Sequence, residues 1–136
     1  MERIAKWRQH VEAPRYDGMV TQILTAESDA LRRYLPSIVD EIVAEANPVR
    51  IILFGSVARG DAGPDSDIDL FVVLDRLDPS QRAHLMGRLR LAISAPTGID
   101  LLVTDTTEWE RRKDVNGSMH YWPSREGEVI YDRSVA

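Results

Sequence analysis

No cysteine occurs among the 136 residues. Disulfides and thiolate metal sites are therefore excluded, and the chain suits a reducing compartment. Long apolar runs are missing too: nothing approaches the roughly 18 to 20 residues of a membrane span, and the opening MERIAKWRQH has no apolar signal-like core. A cytoplasmic protein with no membrane partner is expected. Positive charge is in deficit, with 17 Lys and Arg against 22 Asp and Glu, so no global field draws in nucleic acid. Glycine and proline are no more than ordinary, and 43% hydrophobic with 29% charged residues is the balance of a folded domain. The length suits one compact domain. Its parts read as an N-terminal arm over residues 1–18 and a single domain over 19–136.

Within that domain, apolar positions Val20, Ile23, Leu24, Leu31, Tyr34 and Leu35 recur at spacings that place them on one helix face. Pro36-Ser37 interrupts, and Ile38, Val39, Ile42, Val43 and Ala46 repeat the pattern up to Asn47-Pro48. Two helices, or one kinked helix, therefore precede Arg50–Phe54, a short β-branched run that reads as a buried strand. Ile68–Leu74 is a second such run. The thirteen residues Gly55–Asp67 between them suit neither a tight hairpin nor a crossover helix, and antiparallel pairing is expected. Asp78-Pro79-Ser80-Gln81 is a helix start with Asp78 as cap. Ile99–Val103 gives a third strand, Thr106 or Thr107 can cap a short helix through Arg112, DVNGSMHYWPSREG reads as loop, and Glu128–Tyr131 suits an edge strand. The fold class is α+β, a small mixed or antiparallel sheet flanked by helices.

The chemistry concentrates between the first two strands. Asp67 and Asp69 alternate along an extended chain, so both project from the same face. Two carboxylates that close repel unless a cation intervenes, and a hard ion such as Mg²⁺ accepts one or two carboxylates together with waters and substrate phosphates. Gly55-Ser56 follows a buried strand directly, where exposed backbone N–H groups and a neutral hydroxyl can cradle phosphate oxygens. A plain strand-to-helix turn with Ser56 as cap is the bland alternative.

Ten residues, Val57–Ser66, separate Gly55-Ser56 from Asp67-Ile68-Asp69. This G-S-x10-D-x-D spacing, with Ala58-Arg59-Gly60 and Ser66 inside it, resembles the signature of the DNA polymerase β-like nucleotidyltransferase superfamily. GSVARGDAGPDSDIDLFVV looks in particular like the minimal nucleotidyltransferases called MNT domains. The resemblance is strongest over residues 50–75 and extends by topology to about residue 104. It implies the polymerase β-like fold and a third carboxylate on a neighbouring strand, for which Asp100 in Gly98-Ile99-Asp100-Leu101 is the candidate. It further implies two Mg²⁺ ions held by Asp67, Asp69 and Asp100, ATP as the substrate, and Gly55 and Ser56 on its β- and γ-phosphates. Arg59 is poised either for phosphate or for an ion pair with Asp61 or Asp65. Ser66 either hydrogen-bonds near the metals or braces its own loop.

By the same resemblance, an MNT protein is an antitoxin that adenylylates a tyrosine of a HEPN-type toxin. The chain's acidity and single-domain length point to an acceptor on a partner protein, leaving room for a homo- or hetero-oligomer. Two other readings stay open: an antitoxin acting by binding alone, and a small-molecule nucleotidyltransferase of the aminoglycoside type. His10, His84 and His120 lack metal-ligand spacing and read as exposed or core residues. Trp7, Trp109, Tyr121 and Trp122 read as core or rim aromatics, and Arg111, Arg112 and Lys113 as a solvated helix end.

Overall fold

The computed structural model describes residues 18–135, so the expected arm lies outside the described residues except for Gly18. Helix α1 (Gly18–Arg32) turns at Arg33-Tyr34 into α2 (Leu35–Ala46), with Pro36 in the first turn of α2, where its missing N–H costs nothing. Two helices, not one kinked helix, precede the sheet. Asn47 ends α2 in the left-handed region at φ +44°, returning its N–H to Val43 O at 3.0 Å. The buried positions of α2 are Leu35, Ile38, Val39 and Ile42, one face of a helix at the spacing the sequence shows.

The sheet has four strands in the order β3-β2-β1-β4. Strand β1 (Arg50–Phe54) runs antiparallel to β2 (Ile68–Leu74), as expected, and antiparallel to the edge strand β4 (Glu128–Asp132), with a bulge between Ile51 and Ile52. Strand β3 (Ile99–Asp105) lies parallel to β2. Parallel neighbours need a long crossover. Here a 3₁₀ turn (Pro79–Gln81) and helix α4 (Arg82–Ala92) supply it. Asp78 caps the 3₁₀ turn rather than α4, accepting from the Ser80 N–H at 3.0 Å. The short helix α3 (Gly55–Arg59) follows β1 without a break.

Alternation along β2 decides how the core divides. Ile68, Leu70, Val72 and Leu74 pack with Ile51, Leu53, Leu101 and Val103 against the apolar sides of α2 and α4, including Ile38, Ile42, Leu85 and Leu89. Phe71 and Val73 point the other way, into a smaller cluster with Ile52 and Trp109. Phe71 meets Trp109 edge-on at 5.4 Å between ring centroids and His120 at 4.9 Å. His120 is thus a core residue, 2% exposed and hydrogen-bonded to Thr104 Oγ1 at 2.9 Å, and burial holds its imidazole below the ordinary histidine range. Trp109 is core, while Trp122 stands exposed at the rim.

Helix α5 (Thr106–Arg112) and helix α6 (Tyr121–Glu126) carry this second layer, and both differ from expectation. The cap of α5 is Asp105, the last residue of β3, whose carboxylate accepts from the Glu108 N–H at 2.9 Å and from the Leu77 N–H at 3.1 Å. A carboxylate serving two backbone donors outcompetes a threonine hydroxyl for that position. Residues 121–126, expected as loop, are helical although they lack apolar periodicity. Tertiary contacts hold them: Ser124 Oγ donates to Lys113 O at 2.9 Å, Arg125 Nη1 to the same oxygen at 2.9 Å, and Pro123 is buried. Lys113 and Arg112 are not bare solvated charges, since they pair with Glu110 and Glu108 at 2.8 and 3.6 Å. Among the described residues, no helix is long and apolar enough to cross a membrane.

Candidate active site

The aromatic layer over the second face stops short of the start of β2, and Asp69 sits where it stops. Register brings its partners. Asp69 lies opposite Phe54, the last residue of β1, and beside Asp100 of the parallel strand β3. Equivalent positions on adjacent strands share a face, so two carboxyl groups 31 residues apart in sequence become neighbours. They are close enough to share a hydrogen bond, and the Asp69 carboxyl is pushed up to about 6. Burial is the largest cause, the neighbouring Asp100 charge is next and Asp67 adds less, while Arg59 opposes them.

Two glycines make this crowding possible. Gly55 takes φ +72°, the left-handed conformation that side chains other than glycine resist, and a Cβ there would overlap Asp69 Oδ2. Gly98, just before β3, leaves the space that Asp67 Oδ1 occupies. The backbone holds Gly98 in place, since its carbonyl accepts from the Ile68 N–H at 2.9 Å. Gly98 was not a candidate from the sequence; its only signal is that it stands one residue before the apolar strand bearing Asp100. Gly98→Ala should swing the Asp67 carboxylate away with the β-ladder intact. The expected result is a Mg²⁺ affinity lowered about tenfold at an unchanged melting temperature, read by calorimetric titration; unchanged affinity would remove Gly98 from the site.

Asp67 therefore lies over Gly98 while Asp69 lies over Gly55, and the two carboxylates of the D-x-D turn apart on their common face. Among the described residues, no three His, Cys, Asp or Glu side chains come together in a group able to hold a metal ion by themselves. The donor set nevertheless fits a hard divalent cation: every donor is a carboxylate oxygen, and register sets Asp69 beside Asp100. A Mg²⁺ ion held there would take its remaining ligands from water and substrate phosphates.

Gly55 and Ser56 open α3 directly beside this face, so the strand-to-helix turn expected from the sequence is present, with Phe54 rather than Ser56 in the cap position. Arg59, at the end of α3, is exposed and pairs with Asp61 at 3.3 Å and with Glu126 at 3.9 Å. Exposed pairs of this kind are worth about 1 kcal/mol or less, so an arriving phosphate can displace them. Ser66 braces its loop, its hydroxyl accepting from the Gly63 N–H at 2.8 Å.

Comparison with known proteins bears on this geometry. Residues 35–117 match the family described as nucleotidyltransferase domain. A protein of Methanocaldococcus jannaschii, provisionally named a protein adenylyltransferase, is 37% identical over 82 residues, spanning 60% of this chain and 77% of that protein. A crystal structure from Sulfolobus solfataricus, provisionally described as a nucleotidyltransferase, superposes with a TM-score of 0.58 at 19% identity, over 89% of this chain and 95% of that one. At that identity the superposition speaks for the fold alone.

Proposed function

The chain belongs to the nucleotidyltransferase domain family, and on that footing we propose that it transfers AMP from ATP to a tyrosine hydroxyl of a partner protein. The register that sets Asp100 beside Asp69, with Gly55 against the same carboxylate, carries this reading. The adenylyltransferase name of the archaeal relative supports a protein acceptor. By the MNT resemblance that acceptor is a HEPN-type toxin, which makes this chain its antitoxin.

Asp67, Asp69 and Asp100 would hold Mg²⁺, which supplies charge neutralisation at the transferring phosphorus when bound. Gly55 and Ser56 present the α3 turn to the β- and γ-phosphates, and Arg59 exchanges its carboxylate partners for a phosphate oxygen. Asp100, exposed at the mouth of the site, accepts the proton of the acceptor hydroxyl. The hydroxyl oxygen bonds to the α-phosphorus, the bond from that phosphorus to the bridging oxygen breaks, and pyrophosphate leaves with the electron pair.

ATP labelled at the α-phosphate, with Mg²⁺ and the protein encoded beside this one, tests the reading. Label should pass to the neighbour's tyrosine and disappear with Asp67→Asn. Full neutralisation of the partner in mixtures without ATP, or by that variant, would favour binding alone, and label on a small molecule without a partner would favour the third class.

A further inference from the structure

The phosphate-facing turn is not held by its own segment. We propose that Ser28 and Arg32 on α1, with Glu128 on β4, form a clasp that positions α3 and its loop for nucleotide, an inference that rests on the nucleotidyltransferase reading. Helix α3 spans only Gly55–Arg59, too short for its amides and carbonyls to satisfy one another. At its C-terminal end Ser56 O takes the Gly60 and Asp61 N–H groups, both at 3.0 Å, and Val57 O has only a 3.3 Å share of the same Gly60 N–H, while Ala58 O takes none of these donors. Arg32 Nη2 reaches Val57 O and Ala58 O at 3.4 Å. Those contacts are long, so their weight is electrostatic: a cation at the negative end of a helix.

Burial makes the clasp firm. Arg32 is 6% exposed and Glu128 3%, and they pair at 2.9 Å. One charge in such a pair cannot leave without stranding the other in a dry interior. One turn back on α1, Ser28 Oγ accepts from the Ala62 N–H at 3.0 Å, in a buried contact with the loop that leads to β2. Two points, 25 to 34 residues away in sequence, thus fix the far end of α3 and the chain just after it. The near end is set by Gly55 against Asp69. The short helix is thus anchored at both ends, by Arg32 and Ser28 at its far end and loop and by Gly55 on Asp69 at its near end.

Ser28, Arg32 and Glu128 all lie outside residues 35–117, the stretch matching the family. The clasp is therefore supplied by flanking segments of this chain. It makes Ser28 and Arg32 positioning residues that act through the α3 loop.

Hydrogen exchange on the full chain, paired with calorimetric titration of Mg·ATP, tests this. Ser28→Ala should speed exchange of the amides at 60–62 about tenfold, leave the β1–β2 ladder protected, and weaken Mg·ATP about fivefold to tenfold. Ser28→Thr, which keeps the hydroxyl, should restore both. Arg32→Met combined with Glu128→Gln, which strands no buried charge, should act on the same amides. Unaltered loop exchange, or equal acceleration in every strand, would overturn the clasp. If the wild-type chain binds no Mg·ATP, the nucleotidyltransferase reading falls, and loop exchange alone still decides whether the clasp holds α3.

Discussion

Asp69→Asn is expected to abolish AMP transfer, by about a thousandfold or more, and at the same time to stabilise the metal-free protein at neutral pH. The two effects share one cause. In the folded chain the Asp69 carboxyl is pushed up to about 6 from its ordinary 3.8, by burial first and by Asp100 next. Below pH 3.8 the group is protonated in both folded and unfolded states, and no penalty exists. As pH rises through the window from 3.8 to about 6, the unfolded chain ionises first, so stability is lost, and the loss is complete above pH 6. Because the group is only half buried, solvent screening reduces this to about 1 kcal/mol. Asn carries no charge to repel Asp100, so the variant's melting temperature at pH 7.5 in chelator should rise by about 3–5 °C. Below pH 4 the difference should vanish. Added Mg²⁺ should raise the wild-type melting temperature and not that of the variant, by linkage to binding. A variant no more stable than wild type at pH 7.5 would mean that Asp69 is not strained by its neighbours.

The second large effect is at Gly55. Gly55→Ala meets two obstacles: a left-handed φ of +72°, which costs about 1–2 kcal/mol for a residue with a Cβ, and a Cβ position occupied by Asp69 Oδ2. Asp69 cannot retreat easily, since Asp100 stands on its other side. Either the carboxylate rotates out of the site or the α3 turn lifts from it, and both separate the phosphate grip from the carboxylates. Transfer should fall about a hundredfold or more, with a melting temperature lowered by about 5 °C. Transfer rates read the first and scanning calorimetry the second; wild-type activity at an intact melting temperature would contradict the close packing of Gly55 on Asp69.

Asp69 and Gly55 were legible in the sequence, because local rules place them: alternation sets Asp67 and Asp69 on one face, and a Gly-Ser pair after an apolar run marks a strand-to-helix turn. Local rules also set α2, whose buried face repeats every three to four residues, and the antiparallel return of β2 on β1. They failed where a partner distant in sequence decided the outcome. Asp105 took the α5 cap from Thr106 because Leu77, 28 residues earlier, also needed its carboxylate. Helix α6 formed without apolar periodicity because Ser124 and Arg125 found Lys113 O.

The candidate site divides along the same line. The residue types and spacing over Gly55–Asp69 set by themselves a Gly-Ser strand-to-helix turn and an aspartate pair at the ends of two adjacent strands. The parallel seating of β3, the room left by Gly98, and the reach of Arg32 to α3 and Glu128 were decided only by the tertiary structure. Sequence spacing carries information about neighbours a few residues apart. Which strand lies beside which, and which buried charge finds its counter-charge, follows from packing two apolar faces of one sheet at once.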